Sequence, residues 1–120
     1  LIAPGDFHVC VEKKSLAAIV RLSDADPVNG HRPSAGVLFE SAAKQFGNRA
    51  MGVIMTGMGR DGARELGEIY REGGITLGQD ERSCVVYGMP KVARELGHVM
   101  EQVSLEQMAS RISDLAREYR

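Results

Sequence analysis

Two cysteines in 120 residues are too few for a disulfide framework. Cys10 and Cys84 both lie in apolar runs, so both are expected to be reduced and buried. No block of like charge occurs. Fifteen basic residues stand against sixteen acidic ones, interspersed, for a net charge of −1. That removes the electrostatic basis for binding nucleic acid or an anionic membrane surface. There is no signal-peptide pattern and no apolar run long enough to span a bilayer, so a cytoplasmic location without membrane insertion is expected. CxxC, HExxH, a Walker A loop and GxGxxG are all missing, so no metal and no cofactor is indicated. No internal repeat or low-complexity segment is visible.

What is present suits one domain, with 43% hydrophobic residues. The chain opens on Leu1-Ile2-Ala3-Pro4 without a methionine or polar leader, and reads as if cut from a longer protein. Its centre is the run from Ala50 to Gly62. Ala50-Met51-Gly52-Val53-Ile54-Met55 carries no charge, as in a strand covered on both faces. Gly57 and Gly59 permit a sharp turn. Asp61 follows, just before a helical pattern. Open α/β sheets place ligands and chemistry at such a strand end. The residues leave two roles open for Asp61: the N-cap of the helix that follows, or a catalytic carboxylate.

Around that run, strands alternate with helices. Leu1-Ile2-Ala3 suggests a short strand. Phe7 to Lys13 alternates, with Phe7, Val9 and Val11 on one face and His8 at the surface, and pairs as a hairpin with Leu16–Leu22. Ser23 to Pro33 is a polar loop. Ser34 caps a helix that runs to about Phe46 and stops at Gly47. A second helix spans roughly Gly62 to Glu72, with Leu66, Ile69 and Tyr70 as its apolar stripe. Ile75 to Gly78 is a strand, and Gln79 to Arg82 a loop. Cys84 to Tyr87 is an apolar run that leaves Ser83 in a loop between strands. Pro90 opens a third helix that ends at Gly97. Val99 to Val103 is a last strand. Ser104 and Gln107 form a capping box, and the final helix carries a stripe of Leu105, Met108, Ala109, Ile112, Leu115, Ala116 and Tyr119. The pattern predicts an α/β fold: a doubly wound, mostly parallel sheet with an antiparallel β-hairpin.

A catalytic triad wholly within these residues is not expected. Ser34 has a capping role and lies too close in sequence to His31 to pair with it. Ser83 lies in a loop, but no serine sits in a GxSxG elbow. His98 follows a helix end, where it can meet the last carbonyls.

Four motifs then carry a resemblance. Ile2-Ala3-Pro4-Gly5-Asp6, Pro27-Val28-Asn29-Gly30-His31-Arg32-Pro33-Ser34, Thr56-Gly57-Met58-Gly59-Arg60-Asp61-Gly62 and Ser83-Cys84-Val85-Val86-Tyr87-Gly88-Met89-Pro90 occur in order and in register. Over Leu1 to about Leu105 the chain resembles the catalytic domain of bacterial chemotaxis protein-glutamate methylesterases. The resemblance implies hydrolysis of γ-glutamyl methyl esters, and deamidation of glutamines, on the cytoplasmic helices of chemoreceptors. It implies a Ser-His-Asp triad in which Asp61 is the acid, with the backbone N–H of Met58 aimed at the oxyanion. A buried carboxylate in that role fixes the histidine tautomer and stabilises the imidazolium.

The family's serine and histidine lie upstream of the IAPG motif, as does its receiver domain. These 120 residues are therefore expected to be the C-terminal part of the catalytic domain, inactive alone and prone to dimerise, swap elements or aggregate. In the parent protein, Asp61→Asn is expected to abolish most turnover with little loss of stability. The family usually has Asp where this chain has Gly36. The alternative reading is a non-catalytic α/β interaction module that binds receptor helices or a signalling partner.

Overall fold

The computed structural model describes residues 1–118. Tyr119, the expected end of the last apolar stripe, lies outside the described residues. Two strands, β1 (His8–Lys13) and β2 (Ala18–Ser23), come first, followed by helix α1 (Ala35–Phe46) and a 3-10 turn at Gly47–Arg49. Then come β3 (Met51–Ile54), α2 (Ala63–Arg71), β4 (Ile75–Gln79), α3 (Met89–Glu95), β5 (Glu101–Val103) and α4 (Leu105–Glu118). β1 and β2 form an antiparallel pair, and β3, β4 and β5 form a parallel sheet in that order. The expected α/β fold with a parallel sheet and a separate hairpin is present.

Helices cover both faces of the parallel sheet, because alternate β3 residues face opposite ways. Ile54 packs with Leu66 and Ile69 of α2, Ala43 of α1 and Ala93 of α3. Met51, Val53 and Met55 pack on the other side with Ile75, Leu77 and Val103 and with Met108 and Leu115 of α4. Gly52 lets α2 close on the sheet: a Cβ there would lie 2.6 Å from Leu66 Cδ1. The hairpin joins this body through α1, whose Ser41 Oγ and Gln45 Oε1 accept from the β1 N–H groups of Val11 and Lys13, each at 3.0 Å.

Several expectations are corrected. Leu1-Ile2-Ala3 forms no strand; Leu1 and Ile2 are fully exposed, with no neighbouring strand among the described residues. Cys84 to Tyr87 forms no strand either. It makes one isolated bridge, Tyr87 to Gly57, and leaves Val85 exposed. The last strand begins at Glu101, because the His98 N–H still bonds Ala93 O at the end of α3. Tyr70 is half-exposed. The α4 stripe buries only Met108 and Leu115, with Ile112 packed beside them. Leu105, Ala109 and Ala116 stay exposed, because the stripe is wider than the sheet face it covers. Both cysteines are free and half-buried rather than buried.

Candidate active site

Asp61 leaves the turn after β3 and reaches α1 rather than its own helix. Gly62, at φ 83°, is the N-cap of α2 and supplies no side chain to that end. Its missing side chain also admits α1, since a Cβ there would lie 3.0 Å from both Ala35 Cβ and Phe39 Cε2. This close approach sets the Asp61 carboxylate against the first N–H groups of α1. Oδ2 accepts from Ala35 N at 2.7 Å. Oδ1 accepts from Ser34 Oγ at 2.6 Å, Asn29 Nδ2 at 3.0 Å and Gly36 N at 3.3 Å. The first turn of α1 contains no acidic residue of its own, so Asp61 provides the negative charge that a helix N-terminus favours. Capping is thus part of the role of Asp61, but of the helix before it rather than the one after it.

Asp61 is only 6% exposed. Burial alone would raise its pKa. The hydrogen bonds from Ser34, Asn29, Ala35 and Gly36 outweigh that and hold the carboxyl below its ordinary value. The group is therefore a fixed anion at neutral pH. Its oxygens are unequally occupied, Oδ1 by three donors and Oδ2 by one, which leaves acceptor capacity on Oδ2.

Ser34 is the N-cap of α1 as expected, its Oγ accepting from Gly36 N at 3.1 Å. Its backbone N–H donates to His8 Nδ1 at 3.2 Å, while His8 Nε2 lies 2.9 Å from Asp26 O. His8 is accordingly 1% exposed, not a surface residue, because the loop from Asp26 to Ser34 closes over its ring. His31 is exposed and is not among the donors to Asp61; its backbone bridges Val28. His98 does not meet the carbonyls that end α3. Its ring sets Nδ1 2.9 Å from Ala63 O at the start of α2, in space left by Gly67.

The turn bearing Met58 is clamped from two sides. Thr56 N donates to the buried Gln79 Oε1 at 2.8 Å. Gly57 N donates to Val86 O at 3.1 Å, and Gly57 O accepts from Gly88 N and Met89 N at 3.1 and 2.8 Å. Gly88 is required for this approach, since a Cβ there would lie 2.5 Å from Gly57 O. Two of the four motifs therefore form one unit, in which the Ser83–Pro90 segment fixes the Thr56–Gly62 turn. Met58 stands on the turn 81% exposed, three residues from the buried Asp61. Ser83 is no nucleophile in this arrangement. Its Oγ donates to Asp80 Oδ1 at 2.5 Å and accepts from Leu105 N, the first N–H of α4, at 3.0 Å.

Gly36 has a physical account. A Cβ there would lie 2.7 Å from Glu65 Cδ, 2.8 Å from Glu65 Oε1 and 3.1 Å from Asn29 Nδ2. The space in which a residue-36 side chain would stand is filled by the carboxylate of Glu65. Sequence reasoning missed Glu65, His8 and Gln79. A lone acidic or amide residue in an amphipathic segment gives no sign that it is buried. Among the described residues, no group of three or more His, Cys, Asp or Glu is placed to hold a metal, and no helix is long and apolar enough to cross a membrane.

A family model described as CheB methylesterase matches residues 1–112. Two proteins named protein-glutamate methylesterase/protein-glutamine glutaminase are close relatives. The one from Treponema pallidum (strain Nichols) is 59% identical over 113 residues, covering 94% of this chain and 28% of the relative. The one from Treponema denticola is 56% identical over 119 residues, covering 99% and 32%. The chain thus spans about a third of the length of these relatives. Among solved structures, the Thermotoga maritima CheB methylesterase catalytic domain superposes with a TM-score of 0.90 at 30% identity, covering 94% of this chain and 60% of that one.

Proposed function

Since the chain belongs to the CheB methylesterase family, we propose that it supplies the acid and one oxyanion donor of a Ser-His-Asp esterase. In this reading Asp61 is the carboxylate that orients the histidine and the Met58 backbone N–H is the oxyanion donor. The serine and histidine come from polypeptide outside these 120 residues, which form the C-terminal part of the catalytic domain. The carrying observation is the state of Asp61: buried, anionic, held by four donors, with acceptor capacity left on Oδ2. A histidine N–H donating there would be held in one tautomer and stabilised when it takes the serine proton.

The substrates proposed are γ-glutamyl methyl esters, and glutamine side chains, on the cytoplasmic helices of chemoreceptors. Serine attack on the ester carbonyl gives a tetrahedral oxyanion that the Met58 N–H stabilises, and the histidine then returns the proton to departing methanol. One such donor is worth about 3–4 kcal/mol in a comparable site. The glycines around Met58 leave its backbone unobstructed, and the clamp from Gly88 and Met89 keeps it in place. A cytoplasmic location, a receiver domain elsewhere in the same polypeptide, and self-association of this segment when separated from the rest accompany this reading. The exposed apolar residues Leu16, Ile19, Val20 and Leu22 around β2 support the last.

The test uses the longer natural polypeptide that contains this chain. Asp61→Asn there should lower kcat by about 10⁴-fold, measured as methanol release from methylated receptor. Near-normal turnover would remove Asp61 from the triad. A wild-type polypeptide that binds receptor helices yet releases no methanol would favour the interaction module instead.

A further inference from the structure

Gln79 is the last residue of β4 and is 1% exposed, although a primary amide is costly to bury. Its place in the sheet accounts for the burial. The parallel ladder runs from the Met51–Ile75 pair to the Ile54–Gly78 pair and stops there. Beyond it the chain leaves β4, and Gly57 bridges Tyr87 instead. The Gln79 side chain lies between the departing turn and the segment that the turn joins. Its Oε1 accepts from Thr56 N at 2.8 Å. Its Nε2 donates to Ser83 O at 2.8 Å and lies 3.2 Å from Ser83 Oγ.

Those partners define what residue 79 must be. The Thr56 N–H needs an acceptor and the Ser83 carbonyl needs a donor, which a single primary amide supplies in one orientation. A carboxylate of the same shape sets an acceptor against Ser83 O. A hydrocarbon of the same size leaves both groups unpaired. Asparagine carries the right groups on a stem one methylene shorter. The far side of the link is itself anchored, since Ser83 N and Oγ both donate to Asp80 Oδ1. Further along the same segment, Val86 N donates to Thr56 Oγ1 at 2.9 Å and Val86 O accepts from Gly57 N at 3.1 Å. A buried network with every member satisfied holds one geometry. Met58 follows directly on Thr56 and Gly57, the two residues so held.

We propose that Gln79 is a positioning residue for the Met58 N–H: its amide, set between Thr56 N and Ser83 O, fixes the start of the turn that aims this donor. It acts through Thr56 rather than on the substrate. The proposal rests on the reading above for the oxyanion role of Met58, and not on the role of Asp61.

The test uses the longer natural polypeptide and two variants. Gln79→Glu keeps an acceptor for Thr56 N and removes the donor to Ser83 O. Gln79→Asn keeps the amide and shortens its reach. Methanol release from methylated receptor is measured per folded molecule. Leu115→Ala, in the core cluster with Ile75 and Met108, is the control for lost stability. Both Gln79 variants should lower kcat by about tenfold or more, approaching the roughly 10²–10³-fold cost of losing an oxyanion donor. KM should change by less than about twofold, because ground-state binding is untouched. Leu115→Ala should keep its kcat. Affinity for a trifluoromethyl ketone analogue of the ester, to whose carbonyl the serine adds to give an oxyanion, should fall in step with kcat/KM. A glutamine that only supports the fold would lower the denaturation midpoint and leave these ratios alone. Unchanged kcat in either folded variant, or an equal fall in Leu115→Ala, would overturn the proposal.

Where neither variant folds, the ¹⁵N-labelled wild type decides. Adding the ketone should shift the Met58 amide signal and, with it, the Gln79 side-chain N–H₂ signals. A shift at Met58 with no response at Gln79 would overturn this inference alone. A silent Met58 amide in the formed adduct would overturn the oxyanion reading and this inference with it.

Discussion

The Ser34 hydroxyl donates to Asp61 Oδ1 at 2.6 Å, linking the N-cap residue of one helix to the turn just before the next. Ser34 thereby serves two acceptor–donor relationships at once, since its Oγ also accepts from Gly36 N. Residues that share a network are not additive. A double-mutant cycle of Ser34→Ala and Asp61→Asn, read by urea denaturation, should show a coupling energy of about 0.5–3 kcal/mol. Additive effects would mean that the two groups act separately.

Asp61 should matter for stability as well as for chemistry. The sequence alone leads one to expect that Asp61→Asn is nearly silent in stability, but four donors converge on the carboxylate. An amide keeps one acceptor and turns its N–H₂ toward a donor. The expected loss at pH 7 is about 1–3 kcal/mol. The pH dependence follows from the lowered pKa of Asp61. A carboxyl whose folded pKa is depressed contributes stability above its unfolded pKa, about 3.9. That contribution is lost as pH falls from there through the folded value. The difference between wild type and Asp61→Asn in denaturation midpoint should therefore be constant above about pH 5 and shrink below pH 4. A difference that persists unchanged at pH 2 would contradict this.

The His8 ring should hold a single tautomer. Nδ1 accepts from the Ser34 N–H, so the proton sits on Nε2 and is donated to Asp26 O. Long-range ¹H–¹⁵N correlation at pH 7.5 should show Nδ1 unprotonated and Nε2 protonated. The opposite tautomer would place the ring differently.

Gly67 tests which of two opposing effects wins. In a helix interior, Gly→Ala ordinarily gains about 0.5–1 kcal/mol. Here a Cβ would lie 2.4 Å from His98 Cε1, and that ring is tied to Ala63 O. Overpacking typically costs about 1–3 kcal/mol, so Gly67→Ala should destabilise on balance. A gain in thermal midpoint would show that the His98 ring moves away freely.

Gly88 should control the turn that carries Met58. Gly88→Ala forces its Cβ against the backbone oxygen of Gly57, a contact that no side-chain rotation relieves. The amide signals of Gly57, Met58 and Gly59 should shift more than those of α4. In the longer polypeptide kcat should fall, because the oxyanion donor is displaced. Unchanged turnover alongside shifted Met58 signals would remove Met58 from that role.

Period and punctuation in the chain were enough to determine most of its elements, though not the absence of a strand at Leu1–Ala3 or the start of β5. The apolar run at Ala50–Met55, the serine before Ala35, the glycines after α1 and α2, and Pro90 at the start of α3 are local signals, and each marks an element now seen. They act through backbone geometry and side-chain periodicity, which need no knowledge of distant residues. The relative burial of neighbours was beyond such signals. His8 and Phe7 exchange the roles that alternation assigns them because a loop eighteen residues away closes on the imidazole. Only the tertiary structure decided which helix Asp61 caps, because that depends on α1 packing against the bare backbone of Gly62. Likewise it alone put Glu65 in the space of the absent residue-36 side chain. Asp61 was conspicuous from its place on the glycine turn, but the partners that make it a fixed anion lie at Asn29 to Gly36. The reach between them is a product of packing, which local sequence does not encode.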